Sequence, residues 1–107
     1  MINGLEIRSE INPKGKKIFD FMYSEYFDRD TGETDNFSDK IESENCLDGL
    51  REFREKGRSS IIGQYGSLSL EGNPKRKNFV ALTMKAENYA ISISTTLDEL
   101  YEAFNLK

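Results

Sequence analysis

The residues with the most chemical potential lie between Glu25 and Asp48, where nine carboxylates stand against only Arg29 and Lys40. Closely spaced carboxylates can hold a hard cation, and Asp28, Asp30 and Gly32, with Asp39 at the twelfth position counted from Asp28, begin like a calcium loop. The pattern then fails. Its glycine comes at position five where such a loop needs it at six, position eight is Asp35 rather than an apolar residue, and the twelfth residue is Asp rather than Glu. What remains is a solvated acidic turn, and neither a metal nor another cofactor is expected.

Nucleophilic chemistry has even less to work with. The chain contains no histidine, which excludes Ser-His-Asp and Cys-His arrangements, imidazole-ligated metals and the commonest general base near neutral pH. Cys46 is the single cysteine, so it can form no internal disulfide. A helix N-terminus would lower its pKa, yet it stands at helical spacing with Leu50 and Phe53 and reads as a structural thiol facing the core. Gly57, Gly63, Gly66 and Gly72 match neither a dinucleotide-binding GxGxxG nor a phosphate loop. Lysine, tyrosine, arginine and carboxylates can assemble active sites without histidine, but no spacing here singles out such a set. The chain is read as a non-enzyme.

Binding is the remaining class. Lys14, Lys16 and Lys17 form one basic cluster, Arg51, Arg54, Lys56 and Arg58 a second, and Lys75, Arg76 and Lys77 a third. The first and third sit at turns with aromatic residues nearby, as a single-strand nucleic-acid surface would want. A net charge of -4 and the acidic segment would repel phosphates, so direct nucleic-acid binding is the weaker reading.

The acidic segment carries Tyr26, Phe27 and Phe37 and follows Tyr23, which combines aromatic anchors with a strong negative field. Such a surface suits docking onto a basic protein face, because complementary charge steers encounter and buried aromatics supply affinity. Small acidic inhibitors of nucleic-acid enzymes, among them toxin immunity proteins and phage DNA mimics, present surfaces of this type. The expected partner is a basic protein, of which a nucleic-acid enzyme is one kind, and the expected contact residues are Tyr26, Asp28, Asp30, Glu33, Asp35, Phe37, Asp39 and Glu42. Two rival readings stand beside this. In one the loop is merely solvated and its aromatics turn into the core; in the other the chain is a structural or assembly subunit that forms a homo-oligomer.

The elements that must position these residues follow from periodicity. Leu5 and Ile7 alternate with polar residues and lead into Asn12-Pro13-Lys14-Gly15, a turn sequence, so a β-hairpin is expected. Its returning strand is read over Lys16–Phe27. A helix capped by Asn12 is the rival there, disfavoured by Gly15 and by the aromatic content. Asp28 to Asn36 reads as a loop or hairpin tip. Cys46, Leu47, Leu50 and Phe53 predict a helix near 46–56 with Asn45 as cap and Gly57 past its end.

After Gly57 the period switches to two. Ile61 and Ile62, then Tyr65, then Leu68 and Leu70 predict β-structure interrupted near Gly63 or Gly66 by a bulge or bend. Asn73-Pro74-Lys75 marks a second turn, Phe79–Ala86 a strand, Glu87-Asn88 a third turn and Tyr89–Thr95 another strand. Thr96 with Glu99 caps a last helix bearing Leu97, Leu100, Tyr101 and Phe104 on one face.

The 107 residues show no linker or low-complexity tract, and one α+β domain over 1–107 is expected. The expected architecture is an antiparallel sheet of about five strands built from hairpins, with two helices packed on one face. No run approaches the roughly 18 apolar residues a membrane span requires, and the start lacks the apolar stretch of a secretion signal, so a cytoplasmic protein is expected.

Overall fold

The structure, a computed structural model, describes residues 4–26, 34–73, 75–76, 79–87 and 90–104. It is α+β. In chain order the elements are β1 (Leu5–Ile11), β2 (Lys17–Tyr26), β3 (Thr34–Glu42), α1 (Ser43–Lys56), β4 (Arg58–Ile62), β5 (Ser67–Glu71), β6 (Val80–Lys85), β7 (Ala90–Thr95) and α2 (Leu97–Ala103). The strands form two antiparallel sheets, one in the order β1-β2-β3 and the other β4-β5-β6-β7.

The first hairpin is closed by Asn12, whose Oδ1 accepts from the backbone N–H of Lys14 (3.0 Å) and Lys16 (2.8 Å). This side-chain turn fixes the register that places Ile7 opposite Phe21 and Ser9 opposite Phe19. On the far side of β2, Phe19, Phe21 and Tyr23 face Ile41, Asp39 and Phe37 of β3. Period-two alternation therefore gathers Leu5, Phe19, Phe21, Phe37 and Ile41 on one buried face. The other face sets Ile18 and Met22 among polar groups, and there the Lys40 ammonium meets Glu10 at 3.0 Å across the intervening strand β2.

The expectation of a single sheet of about five strands is corrected here. Among the described residues, seven strands are divided between a sheet of three and a sheet of four. One strand that escaped notice is β3, because its inward positions read Phe37, Asp39, Ile41, and a buried carboxylate breaks the apolar alternation by which strands are recognised; the other arises because the stretch read as interrupted near Gly63 or Gly66 turns back on itself and is two antiparallel strands, β4 and β5. The strand read over Lys16–Phe27 is β2, and the rival helix there is absent. Phe79–Ala86 and Tyr89–Thr95 contain β6 and β7, paired antiparallel with Met84 opposite Ile91 and Leu82 opposite Ile93.

Helix α1 begins at Ser43, ahead of the expected start, and buries Cys46, Gly49, Leu50 and Phe53. It stops at Gly57, whose φ of 77° is left-handed and whose N–H donates to the Phe53 carbonyl. Thr96 caps α2 by accepting from the Glu99 N–H at 3.1 Å, as the sequence predicts. Beyond α2, the Phe104 ring packs on Phe19 and Phe21 with centroids 5.1 and 6.0 Å away. Both helices thus join the inner faces of both sheets in one hydrophobic cluster. The shortest dimension of the molecule is 22 Å, the depth of two packed layers. Among the described residues, no helix is long and apolar enough to cross a membrane.

Candidate docking site

Asp39 is the most unusual residue of the fold: a carboxylate with no exposed surface at all. Burial of a charge is costly unless hydrogen bonds replace its water. Three backbone donors do so. Asp39 Oδ1 accepts from the N–H groups of Lys40 (2.8 Å) and Tyr65 (2.8 Å), and Oδ2 accepts from Gly66 (3.0 Å). Charge-assisted bonds of this kind are about twice as strong as neutral ones.

The two remote donors belong to the turn between β4 and β5, so Asp39 fastens one sheet to the other. Two further bonds complete the clamp. The Gln64 N–H donates to the Lys40 carbonyl at 3.0 Å, and the Gly63 N–H donates to the Gly66 carbonyl at 2.9 Å. Gly63 has no alternative here, since a Cβ at that position would overlap the Asp39 carboxylate. The turn is therefore held at backbone level from beneath, leaving its side chains free to point outward.

Beside the exposed Gln64, two large side chains at the turn and its approach face solvent. Ile62 and Tyr65 are each 69 % exposed. Ile62 forms a wall of a groove of about 400 Å³ lined also by Ile18, Lys40, Glu42, Asn45 and Gln64. The Lys40 pKa is raised, first by its hydrogen bond and ion pair with Glu10 and more weakly by Asp20 and the nearby Tyr65 phenol. Tyr65 on the ordered turn and Ile62 at the end of β4 thus stand exposed beside a groove.

Of the residues expected to make the docking surface, the structure brings some to this place and removes others from it. Phe37 is 2 % exposed and belongs to the core; Asp39 holds the turn from within. Glu42 is part-exposed where β3 runs into α1, lines the groove and lies 3.9 Å from Lys16. Tyr26 ends β2 opposite Thr34, and Asp35 in β3 pairs with Glu25. Asp28, Asp30 and Glu33 lie outside the described residues. The acidic segment is thus largely strand and helix from Thr34 onward, rather than one loop.

Sequence reasoning missed Ile62 and Tyr65. Their signal was an aromatic residue between Gly63 and Gly66, where a strand reading makes it half-buried and a turn reading makes it solvent-facing. As for chemistry, burial pushes the Cys46 thiol up to about 12, which leaves it protonated and unreactive at neutral pH. Among the described residues, no three acidic or sulfur ligands converge on a common point. Comparison with family models, with curated proteins and with solved structures yields no match to this chain.

Proposed function

We propose that this chain is a non-enzymatic binding protein that docks onto a basic protein partner through the β4–β5 turn and the adjoining groove. The observation that carries the reading is the clamped turn: a buried carboxylate is committed to three backbone N–H groups while Ile62 and Tyr65 are left in solvent. A fold gains nothing for its own stability by exposing those two side chains. A partner that covers them gains affinity at low ordering cost.

Charge supports the basic character of the partner. Glu42 lines the groove, and Glu44 and Asp48 stand exposed on α1 just beyond it. Asp28, Asp30, Glu33 and Asp35 belong to the same acidic segment. Their field would accelerate encounter with a positive surface such as that of a nucleic-acid enzyme, and inhibition of such an enzyme, as by an immunity protein, is the outcome this docking predicts. The buried free thiol of Cys46 suits the reducing cytoplasm.

The test places a photo-crosslinking side chain at position 65 and, as control, at the exposed position 55 on the polar side of α1. Position 65 should capture a basic protein that position 55 does not. Tyr65→Ala should then cost about 2 kcal/mol in affinity for that protein, appearing as dissociation roughly 30-fold faster. Charge reversal of Asp28, Asp30, Glu33 and Asp35 should instead slow association and flatten its salt dependence. Equal capture from both positions, or unaltered dissociation of Tyr65→Ala, defeats the proposal.

A further inference from the structure

The groove between β3 and the β4–β5 turn holds three side-chain acceptors that the fold does not use. The Asn45 and Gln64 amides make no side-chain hydrogen bond among the described residues. The Glu42 carboxylate has the Lys16 ammonium at 3.9 Å, too long for a hydrogen bond, and both groups are half-exposed. A contact of that length and exposure is weak and readily exchanged.

The cation that lines the groove is already committed. The Lys40 ammonium is held at 3.0 Å by Glu10, and Asp20 stands directly opposite Lys40 in the β2–β3 register. Arg8, the next residue across from Asp20, is taken by Glu6 at 2.7 Å. Glu10, Asp20 and Glu42 therefore outnumber Lys16 and Lys40 around the groove, which keeps a negative balance. Its other surfaces are apolar: Ile18 is half-buried on the outer face of β2, and Ile62 is exposed at the end of β4.

Few side chains satisfy such a groove. An apolar one would cover Glu42, Asn45 and Gln64 and leave them unpaired, at a cost for each. A carboxylate or phosphate would meet the Glu42 charge. An ammonium brings three donors and a tightly held water shell, whereas a guanidinium brings five donors in a plane and leaves water more easily. The arginine stem is also apolar enough to lie along isoleucine surface.

We propose that the groove is an arginine-selective subsite, in which an arginine of the basic partner lays its stem against Ile18 and Ile62 and its guanidinium on Glu42. The amide oxygens of Asn45 and Gln64 accept the remaining N–H groups, and Lys16 is released to water. This inference rests on docking at the β4–β5 turn and names the side chain that the groove selects, with Glu42 as the residue that determines specificity.

Side-chain NMR of the full chain, titrated at low salt with the tripeptide Gly-Arg-Gly amide, tests the proposal. The NH₂ signals of Asn45 and Gln64 and the methyl signals of Ile62 should shift together and saturate in the millimolar range. The matching lysine tripeptide should bind roughly tenfold more weakly. Glu42→Gln should weaken the arginine tripeptide by roughly tenfold, the loss of one charge-assisted contact, with an unchanged melting temperature. Glu55→Gln, at an exposed position on α1, should bind like wild type. Shifts that do not saturate, equal binding of the two tripeptides, or unaltered binding by Glu42→Gln each overturn the subsite. The partner complex separates it from the docking reading. If the protein captured from position 65 binds Glu42→Gln as tightly as wild type, docking stands and the arginine subsite falls. If the tripeptide binds as expected but position 65 captures no basic protein, the subsite stands and docking falls.

Discussion

Removal of the Asp39 carboxylate is the sharpest perturbation of this fold. Asp39→Ala would leave the N–H groups of Tyr65, Gly66 and Lys40 without their acceptor. Each buried donor so orphaned costs about 1–3 kcal/mol. The Lys40 N–H sits by the groove and can recover a water, so two donors dominate and the expected loss is about 4 kcal/mol. That is a large share of the roughly 5–15 kcal/mol by which a domain is stable. At about 4–8 °C per kcal/mol for a domain this small, the melting temperature should fall by roughly 15–30 °C. Asp39→Asn is the milder companion, since its carbonyl can still serve two donors and only the Gly66 N–H meets an amide NH₂; about 2 kcal/mol is expected. Thermal melts give the magnitude, and amide hydrogen exchange gives the location. Protection at Tyr65 and Gly66 should fall further in Asp39→Asn than protection in β6. An Asp39→Asn chain that melts with wild type and keeps those two amides protected would refute the clamp.

Two further outcomes follow from the same geometry. Burial raises the Cys46 thiol pKa from 9.0 to about 12, so between those values the unfolded chain gives up a proton that the folded chain keeps. Stability should then be intact below pH 9 and fall as pH rises, by at most about 1.4 kcal/mol per unit, measured as a steeper pH slope for wild type than for Cys46→Val; equal slopes exclude it. Thr96→Ala removes the acceptor of the Glu99 N–H and should cost about 1 kcal/mol in urea denaturation, with a loss below a few tenths showing that the cap is not needed.

The hairpin at Asn12, the β6–β7 pair, both helices, the Gly57 end of α1 and the Thr96 cap of α2 were legible because each is specified locally, by turn chemistry, by period or by a capping residue; Asn45 was misread as the cap of α1, which begins two residues earlier after Glu42 with no side-chain cap. Phe53, Leu50 and Cys46 announce a helix face within one stretch of eight residues. The division into two sheets was not legible, since it depends on how the β4–β5 turn meets β3, a contact between residues 26 apart in sequence. Asp39 illustrates the difficulty. A carboxylate in an acidic run reads as solvated, and nothing nearby in sequence discloses the donors that make it a core residue. Phe37 and Tyr65 exchanged roles for the same reason: one alternates with Asp39 on a strand hidden by its charges, while the other rides on a turn whose glycines first read as a bulge.

Charge counting along the chain therefore overstates the field that a partner would feel. Of the carboxylates between Glu25 and Asp48, Asp39 is neutralised in effect by three backbone dipoles inside the fold, and Glu42 has Lys16 within 3.9 Å. Asp48 likewise has Arg51 at 3.5 Å, so what remains for steering is Glu25, Asp28, Asp30, Glu33, Asp35 and Glu44. In the proposed docking, steering and anchoring are then assigned to different residues. In that proposal the carboxylates would act over a screening length of about 8 Å at physiological salt, whereas Ile62 and Tyr65 would act on contact. Because Asp39 connects the two, fixing from within one sheet the turn that the other displays, its loss should abolish docking even at temperatures where the chain remains folded. A variant with intact secondary structure, unaltered surface charge beyond that one buried group and no affinity would separate the ordering of the turn from the field around it.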